Sequence, residues 1–118
     1  MFPRMKTKVV SNCYPPSLEE VEISKNEGKV VLVYLSNIIY SKGIFDLLEA
    51  FKSLNSDQIE IELKIAGGFL GDDYMSAKDV ESKFYETIKE FDSIEYCGLV
   101  RGDRKDRLLA QSDIMILP

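Results

Sequence analysis

The sequence predicts an α/β domain with a mainly parallel sheet, on three observations. Four apolar stretches of strand length follow residue 28: "KVVLVYLS", "IEIELKIAGG", "SIEYCGLV" and "DIMILP". Between them lie segments whose apolar residues recur at helical spacing. The first stretch is apolar throughout rather than alternating, as suits a strand covered on both faces. Strands alternating with helices imply parallel pairing through right-handed crossovers. The expected order is 3-2-1-4, with "KVVLVYLS" central and helices on both faces of the sheet.

Each element can be read in turn. Residues 1–28 form a lead-in segment, with a short strand at residues 7–12 ("TKVVSN") and a loop, "CYPPSLEE", whose two prolines forbid helix and ladder. "SKNEGK" is a polar turn. After "KVVLVYLS", the residues Ile44, Leu47, Leu48, Phe51 and Leu54 share one helical face, and the helix ends near "NSD". "IEIELKIAGG" starts in strict alternation and stops at two glycines. "FLGDDYMSAKD" is a loop running into a helix with the stripe Val80, Phe84, Ile88 and Phe91. The third strand ends at Gly98. Asp103 is placed to cap a short helix whose apolar side is Leu108, Leu109 and Ala110. "DIMILP" is the fourth strand. The whole is a partial Rossmann-like parallel sheet in a three-layer α/β/α arrangement, about half of a doubly wound sheet.

Composition narrows the function classes. The 118 residues suit one domain, and 45% hydrophobic with 30% charged content is that of a globular chain. The net charge of -5 gives no general attraction for nucleic acid or anionic lipid. A basic cluster, Arg101, Arg104, Lys105 and Arg107, is interleaved with Asp103 and Asp106 and reads as a solvated helix start. There is no histidine, which removes the commonest general base and most zinc sites. Cys13 and Cys97 match no metal or redox spacing and read as buried thiols in a reducing cytoplasm. The N-terminus does not read as a signal peptide, and no apolar run is long enough to span a membrane. No cofactor or metal is expected.

In open sheets of this kind, ligands bind beyond the carboxyl ends of the strands, where strand order reverses. Three loops meet there: "SNIIYSKG", "GGFLGDD" and "GLVRGD". The first delivers a helix N-terminus, where free N–H groups and the helix dipole favour an anion. Lys42 adds a full charge, and Gly43 lets a phosphate oxygen approach the backbone. The alternative is structural: Ser41 is an N-cap, Lys42 is solvated and Gly43 permits a tight turn. "AGGFLG" lacks the dinucleotide spacing, so its glycines either admit a ligand or end the strand. Asp72 and Asp73 read as solvated, with metal ligation as the other reading. "CGLVRGD" either presents backbone to a flat base or is an ordinary connection.

Taken in order, "VVSNCYPP", "YLSNIIYSKGIFDLLEAF", "LKIAGGFLG", "IEYCGLV" and "RLLAQSDIMILP" resemble the C-terminal donor-nucleotide domain of the retaining, GT-B type glycosyltransferases of group 1. The resemblance implies that residues 29–118 are the first half of a donor-nucleotide-binding domain. It implies that Lys42 binds the donor diphosphate, with Ser36, Asn37, Gly43 and Gly67 around it. Asn37 stands where the family usually has a second cation, and Ser36 where it has a glycine, so diphosphate binding should be weaker than usual. Gly68 and Phe69 replace the family's Asp/Asn-Gly pair. Gly98, Leu99 and Val100 match the segment beside the nucleobase.

The implied activity is glycosyl transfer from a UDP- or GDP-sugar, in polysaccharide or glycolipid synthesis. The implied setting is the cytoplasm, at the inner membrane surface for a full-length enzyme. The family's acceptor domain and sugar-binding glutamates have no counterpart in the sequence, so the chain by itself is expected to be a truncated, inactive portion. The alternative is a non-catalytic module, flavodoxin-like or response-regulator-like. Against the latter, no strand ends on an aspartate. The apolar edge between Asp113 and Pro118 is expected to drive homodimerisation or aggregation.

Overall fold

β1 (Lys29–Leu35) is the centre of the sheet. The computed structural model of the protein describes residues 28–54 and 58–118, so the lead-in strand and Cys13 fall outside the described residues. Among these, β2 (Glu60–Ala66), β3 (Ile94–Gly98) and β4 (Ile114–Met115) complete a sheet in the order β3-β2-β1-β4, parallel throughout. This is the order expected from the alternation of strands and helices. β1 and β2 pair along their full lengths, from Lys29 opposite Glu60 to Leu35 opposite Ala66.

Three helices provide the crossovers: α1 (Ile44–Ser53), α2 (Ala77–Ile88) and α3 (Asp103–Ala110). α1 and α2 cover one face. There Leu32, Tyr34, Leu63 and Ile65 of the sheet pack with Ile44, Leu47, Leu48 and Phe51 of α1 and with Val80 and Phe84 of α2. Burying each large apolar side chain contributes roughly 1.5–3 kcal/mol, so this layer carries most of the core. α3 covers the other face, where Leu108 packs with Val33, Ala66 and Val100.

α3 is short, and part of its face stays polar. Lys29 pairs with Glu62 there, and Lys64 lies 3.9 Å from Glu62 and 3.8 Å from Glu95. This explains the alternation at the start of β2: Ile61, Leu63 and Ile65 point to α1 and α2, and Glu62 and Lys64 point to the face that α3 leaves open.

Some element ends differ from the sequence reading. Leu54 is the C-cap of α1, in an extended conformation off the helical face, and is exposed. Phe91 lies past the end of α2, yet still packs edge-on against Phe51. Gly102, not Asp103, is the N-cap of α3, and Leu109 faces solvent beside the buried Leu108. β4 is only two residues long. Its start is fixed by Asp113, whose N–H donates to the Val31 carbonyl and whose carboxylate accepts the Val31 N–H at 2.7 Å.

Candidate functional site

The strand order places the reversal between β1 and β4, and the loop after β1 rises there. Ser36 continues the ladder, donating its N–H to Ala66 at 3.1 Å. The Tyr34 hydroxyl, buried beneath, donates to the Asn37 carbonyl at 2.9 Å. Burial pushes the Tyr34 phenol up, so it stays a donor at neutral pH. The Asn37 backbone is thereby pinned while its side chain is exposed. Ile38, fully buried, pairs with Phe69 in an isolated parallel bridge: its N–H donates to Gly68 at 2.8 Å, and its carbonyl accepts from Leu70 at 3.1 Å.

A 3-10 turn over Tyr40–Lys42 follows, closed by the Lys42 and Gly43 N–H groups on the Ile39 and Tyr40 carbonyls. Gly43 has φ 80°, in the left-handed region, and is the N-cap of α1. Gly43 has no side chain to cap α1, and Asp46 lies in its first turn. Ser41 therefore does not take the N-cap role that its position suggested. The turn intervenes, and the Ser41 N–H instead donates to Asp72 at 2.8 Å.

Lys42 reaches back over the loop, with Nζ 3.3 Å from the Ser36 hydroxyl. Among the described residues no carboxylate forms an ion pair with it. One loop thus brings together the Lys42 ammonium, the Ser36 hydroxyl and the start of α1. Pro118 lies alongside: a Cβ built on Gly43 would sit 3.2 Å from the Pro118 ring.

The second loop begins at Gly67, whose glycine is required by the neighbouring backbone. A Cβ there would lie 1.8 Å from the Ser36 carbonyl oxygen. Both polar groups of Gly67 are already used. Its N–H donates to Gly98 at 2.9 Å, and its carbonyl accepts the Tyr96 hydroxyl at 2.6 Å. Gly67 joins the three loops from within. Phe69 then anchors the loop in an aromatic cluster with Phe84, Tyr85 and Tyr96, at centroid distances of 5.3–5.7 Å.

The third loop follows a register shift in β3, where Tyr96 faces Ile65 but Gly98 faces Ala66. Such a bulge re-aims the residues after it. Leu99 emerges 56% exposed, its side chain beside Gly68. Val100 is 8% exposed and packed against α3. Of the three residues singled out for the nucleobase, Gly98, Leu99 and Val100, Leu99 alone presents a side chain to solvent. Cys97 is half-buried and free, and burial pushes its thiol up, away from nucleophilic chemistry.

Sequence reasoning missed the role of Asp72. It is not simply solvated. Besides Ser41, its carboxylate accepts the Tyr74 and Met75 N–H groups at 2.8 and 2.9 Å. The local signal was present: an aspartate that bonds backbone N–H groups two and three residues on is a common turn device. The bond to Ser41, 31 residues away, has no local signal. Partial burial raises the Asp72 carboxyl, but these hydrogen bonds outweigh it and hold it down at about 2. Ser76 then caps α2, accepting the Asp79 N–H at 3.1 Å. Among the described residues no group of three metal-ligating side chains comes together, and no helix is long and apolar enough to cross a membrane.

The family model for glycosyl transferases group 1 matches residues 18–118 of the chain. Searches of curated proteins and of solved structures gave no match.

Proposed function

The chain belongs to the group 1 glycosyltransferases, and we propose that the three loops above its sheet hold the diphosphate and base of a UDP- or GDP-sugar donor. The family match favours glycosyl transfer over a non-catalytic module. The observation that carries the donor reading is the loop after β1. There the Lys42 ammonium, the Ser36 hydroxyl and the start of α1 lie together at the reversal of strand order, with no carboxylate among the described residues paired to the lysine.

The chemistry is that of a leaving group. As the glycosidic bond breaks, negative charge grows on the departing diphosphate. Lys42 supplies a full positive charge to meet it, and the α1 N-terminus adds roughly 0.3–2 kcal/mol. Ser36 and the Asn37 amide offer neutral hydrogen bonds. Leu99, exposed beside Gly68, offers the base an apolar face. Gly67 and Val100 act through the scaffold: one locks the loops together, and the other anchors the third loop to α3. A GT-B arrangement with retention, and a polysaccharide or glycolipid product, follow from the family resemblance and belong to the same proposal. A cytoplasmic setting fits the free Cys97 thiol.

Asn37 carries no charge where a bidentate cation would hold the diphosphate more firmly. Binding of UDP or GDP is therefore expected near the millimolar range, about 4 kcal/mol. The test is a titration followed by NMR. Amide signals of Ser36, Lys42 and Leu99 should move, Lys42→Ala should weaken binding about tenfold or more, and Asn37→Arg should tighten it. Unmoved signals, or a Lys42→Ala variant with unchanged affinity, would remove the donor site.

A further inference from the structure

On the α1–α2 side of the sheet top lies a pocket of about 350 Å³, lined by Tyr40, Ser41, Gly43, Phe45, Asp46 and Lys83. We propose that this pocket and the neighbouring Tyr74 form a second ligand site, which takes an uncharged saccharide. The site borders the donor loop, sharing its Tyr40, Ser41 and Gly43 and the first turn of α1. It includes none of Ser36, Asn37, Lys42 or Leu99, and it does not rest on the donor reading.

The first observation is a pair of tyrosines facing water at a fixed geometry. Tyr74 is 76% exposed, and its ring centroid lies 6.0 Å from that of the half-exposed Tyr40, tilted by 39°. Asp72 accepts the backbone N–H of Ser41 on one side and those of Tyr74 and Met75 on the other. One carboxylate thus ties the Tyr40 turn to the Tyr74 loop, so the two backbones that carry the rings are held side by side before any ligand arrives.

The second observation is the polar complement around these rings. The Lys83 ammonium from α2 sits 4.3 Å from the Phe45 centroid and 5.7 Å from that of Tyr40, held by cation–π attraction. Asp46 places a carboxylate on the α1 side of the same pocket. A donor and an acceptor of opposite charge therefore flank an aromatic wall. The volume falls in the range of small-ligand pockets, roughly 300–1,000 Å³.

This combination selects a chemical class. An anion such as phosphate would meet the Asp46 carboxylate together with Lys83, and gains little. A purely apolar ligand would leave both charges desolvated and unpaired. A pyranose has a flat face of C–H groups and an edge of hydroxyls that both donate and accept. The C–H face suits the negative face of a tyrosine ring, and the hydroxyl edge suits a carboxylate and an ammonium at once.

The experiment uses the full chain, titrated separately with maltotriose, cellotriose and mannotriose, each to about 20 mM given the millimolar affinities expected for a small open site. Backbone NMR signals of Tyr40, Ser41, Phe45 and Tyr74 should shift saturably with at least one sugar. Tyr74→Ala, which removes an exposed side chain and leaves the Asp72 hydrogen bonds to the backbone in place, should weaken that binding about fivefold or more. Asp46→Asn should weaken it as well. A parallel UDP titration should move Lys42 and Leu99 but not Tyr74, so failure of the donor site and failure of this one are read separately. If none of the three sugars shifts these signals, or if the shifts persist undiminished in both variants, the saccharide site is overturned.

Discussion

Gly67→Ala should destabilise the protein by about 3–5 kcal/mol, and the reason lies in a single backbone approach. A Cβ on Gly67 would sit 1.8 Å from the Ser36 carbonyl oxygen and 2.7 Å from its carbon. Ordinary contact begins near 3.4 Å, so β1 and β2 would have to part by about the difference, near 1.6 Å, at their carboxyl ends. That opening stretches the Ser36 to Ala66 hydrogen bond, now 3.1 Å, well past its working length. It also strains the Gly67 bonds to Gly98 and Tyr96. Two or three hydrogen bonds at roughly 0.5–1.5 kcal/mol each, plus roughly 1–3 kcal/mol for an alanine forced to φ near 154°, span about 2–7 kcal/mol, and the stated range is its middle. Against a total stability of about 5–15 kcal/mol this is a large fraction. In urea, with a slope of about 1–3 kcal/mol per molar, the unfolding midpoint should fall by about 2 M. Gly68→Ala is the control, because a Cβ there meets only the end of Leu99, at 3.9 Å. It should stay within about 0.5 kcal/mol of the parent. A Gly67→Ala variant that loses less than about 1 kcal/mol, or a Gly68→Ala variant that loses as much, would show that this packing account is wrong.

Three further outcomes are expected. Phe84→Ala removes a fully buried ring that touches Phe69, Tyr85 and Tyr96, and should cost about 3–5 kcal/mol in the same urea assay, with Phe84→Leu costing less. The Asp72 carboxyl is held at about 2, below its unfolded value of 3.8, so its contribution is fully present above about pH 4 and is lost as pH falls toward 2. Asp72→Asn should accordingly flatten the acid limb of the stability profile between those values. An unchanged limb would show that the carboxylate does not hold the two loops together. Ile114, Met115 and Leu117 are exposed along the β4 edge, so the chain should self-associate in a concentration-dependent way, and Met115→Lys should shift it toward monomer. Light scattering that finds only monomer at high concentration removes that expectation.

The sequence alone determined the architecture. The strand order could be read from "KVVLVYLS" and the alternation of strand and helix periods, because a parallel strand covered on both faces must be apolar throughout and a crossover must return on a fixed hand. The α1 and α2 faces were legible for a similar reason: Ile44, Leu47, Leu48 and Phe51, and then Val80 and Phe84, follow helical spacing with a single buried side. The site's location followed from the topology, and Lys42 was visible as a cation beside a helix start.

What each site residue does was decided by tertiary contacts, which local patterns do not encode. Gly67 reads in the sequence either as a glycine admitting a ligand or as one ending the strand, and the approach of the Ser36 carbonyl that requires it is visible only where two backbones meet. Leu99 and Val100 are adjacent apolar residues in the sequence. A shifted register at the end of β3 leaves one in solvent, and α3 buries the other. Asp72 looked solvated because its most distant partner, Ser41, lies 31 residues away. The reason is general to this molecule: periodicity reports which face of an element is buried, whereas the top of the sheet is built by loops whose partners come from other crossovers. "SKG" marked a helix start next to a charge. Only the folded chain shows that Lys42 leans on Ser36 with no ion-pair partner among the described residues, and that Asp72 has already taken the Ser41 N–H beside it.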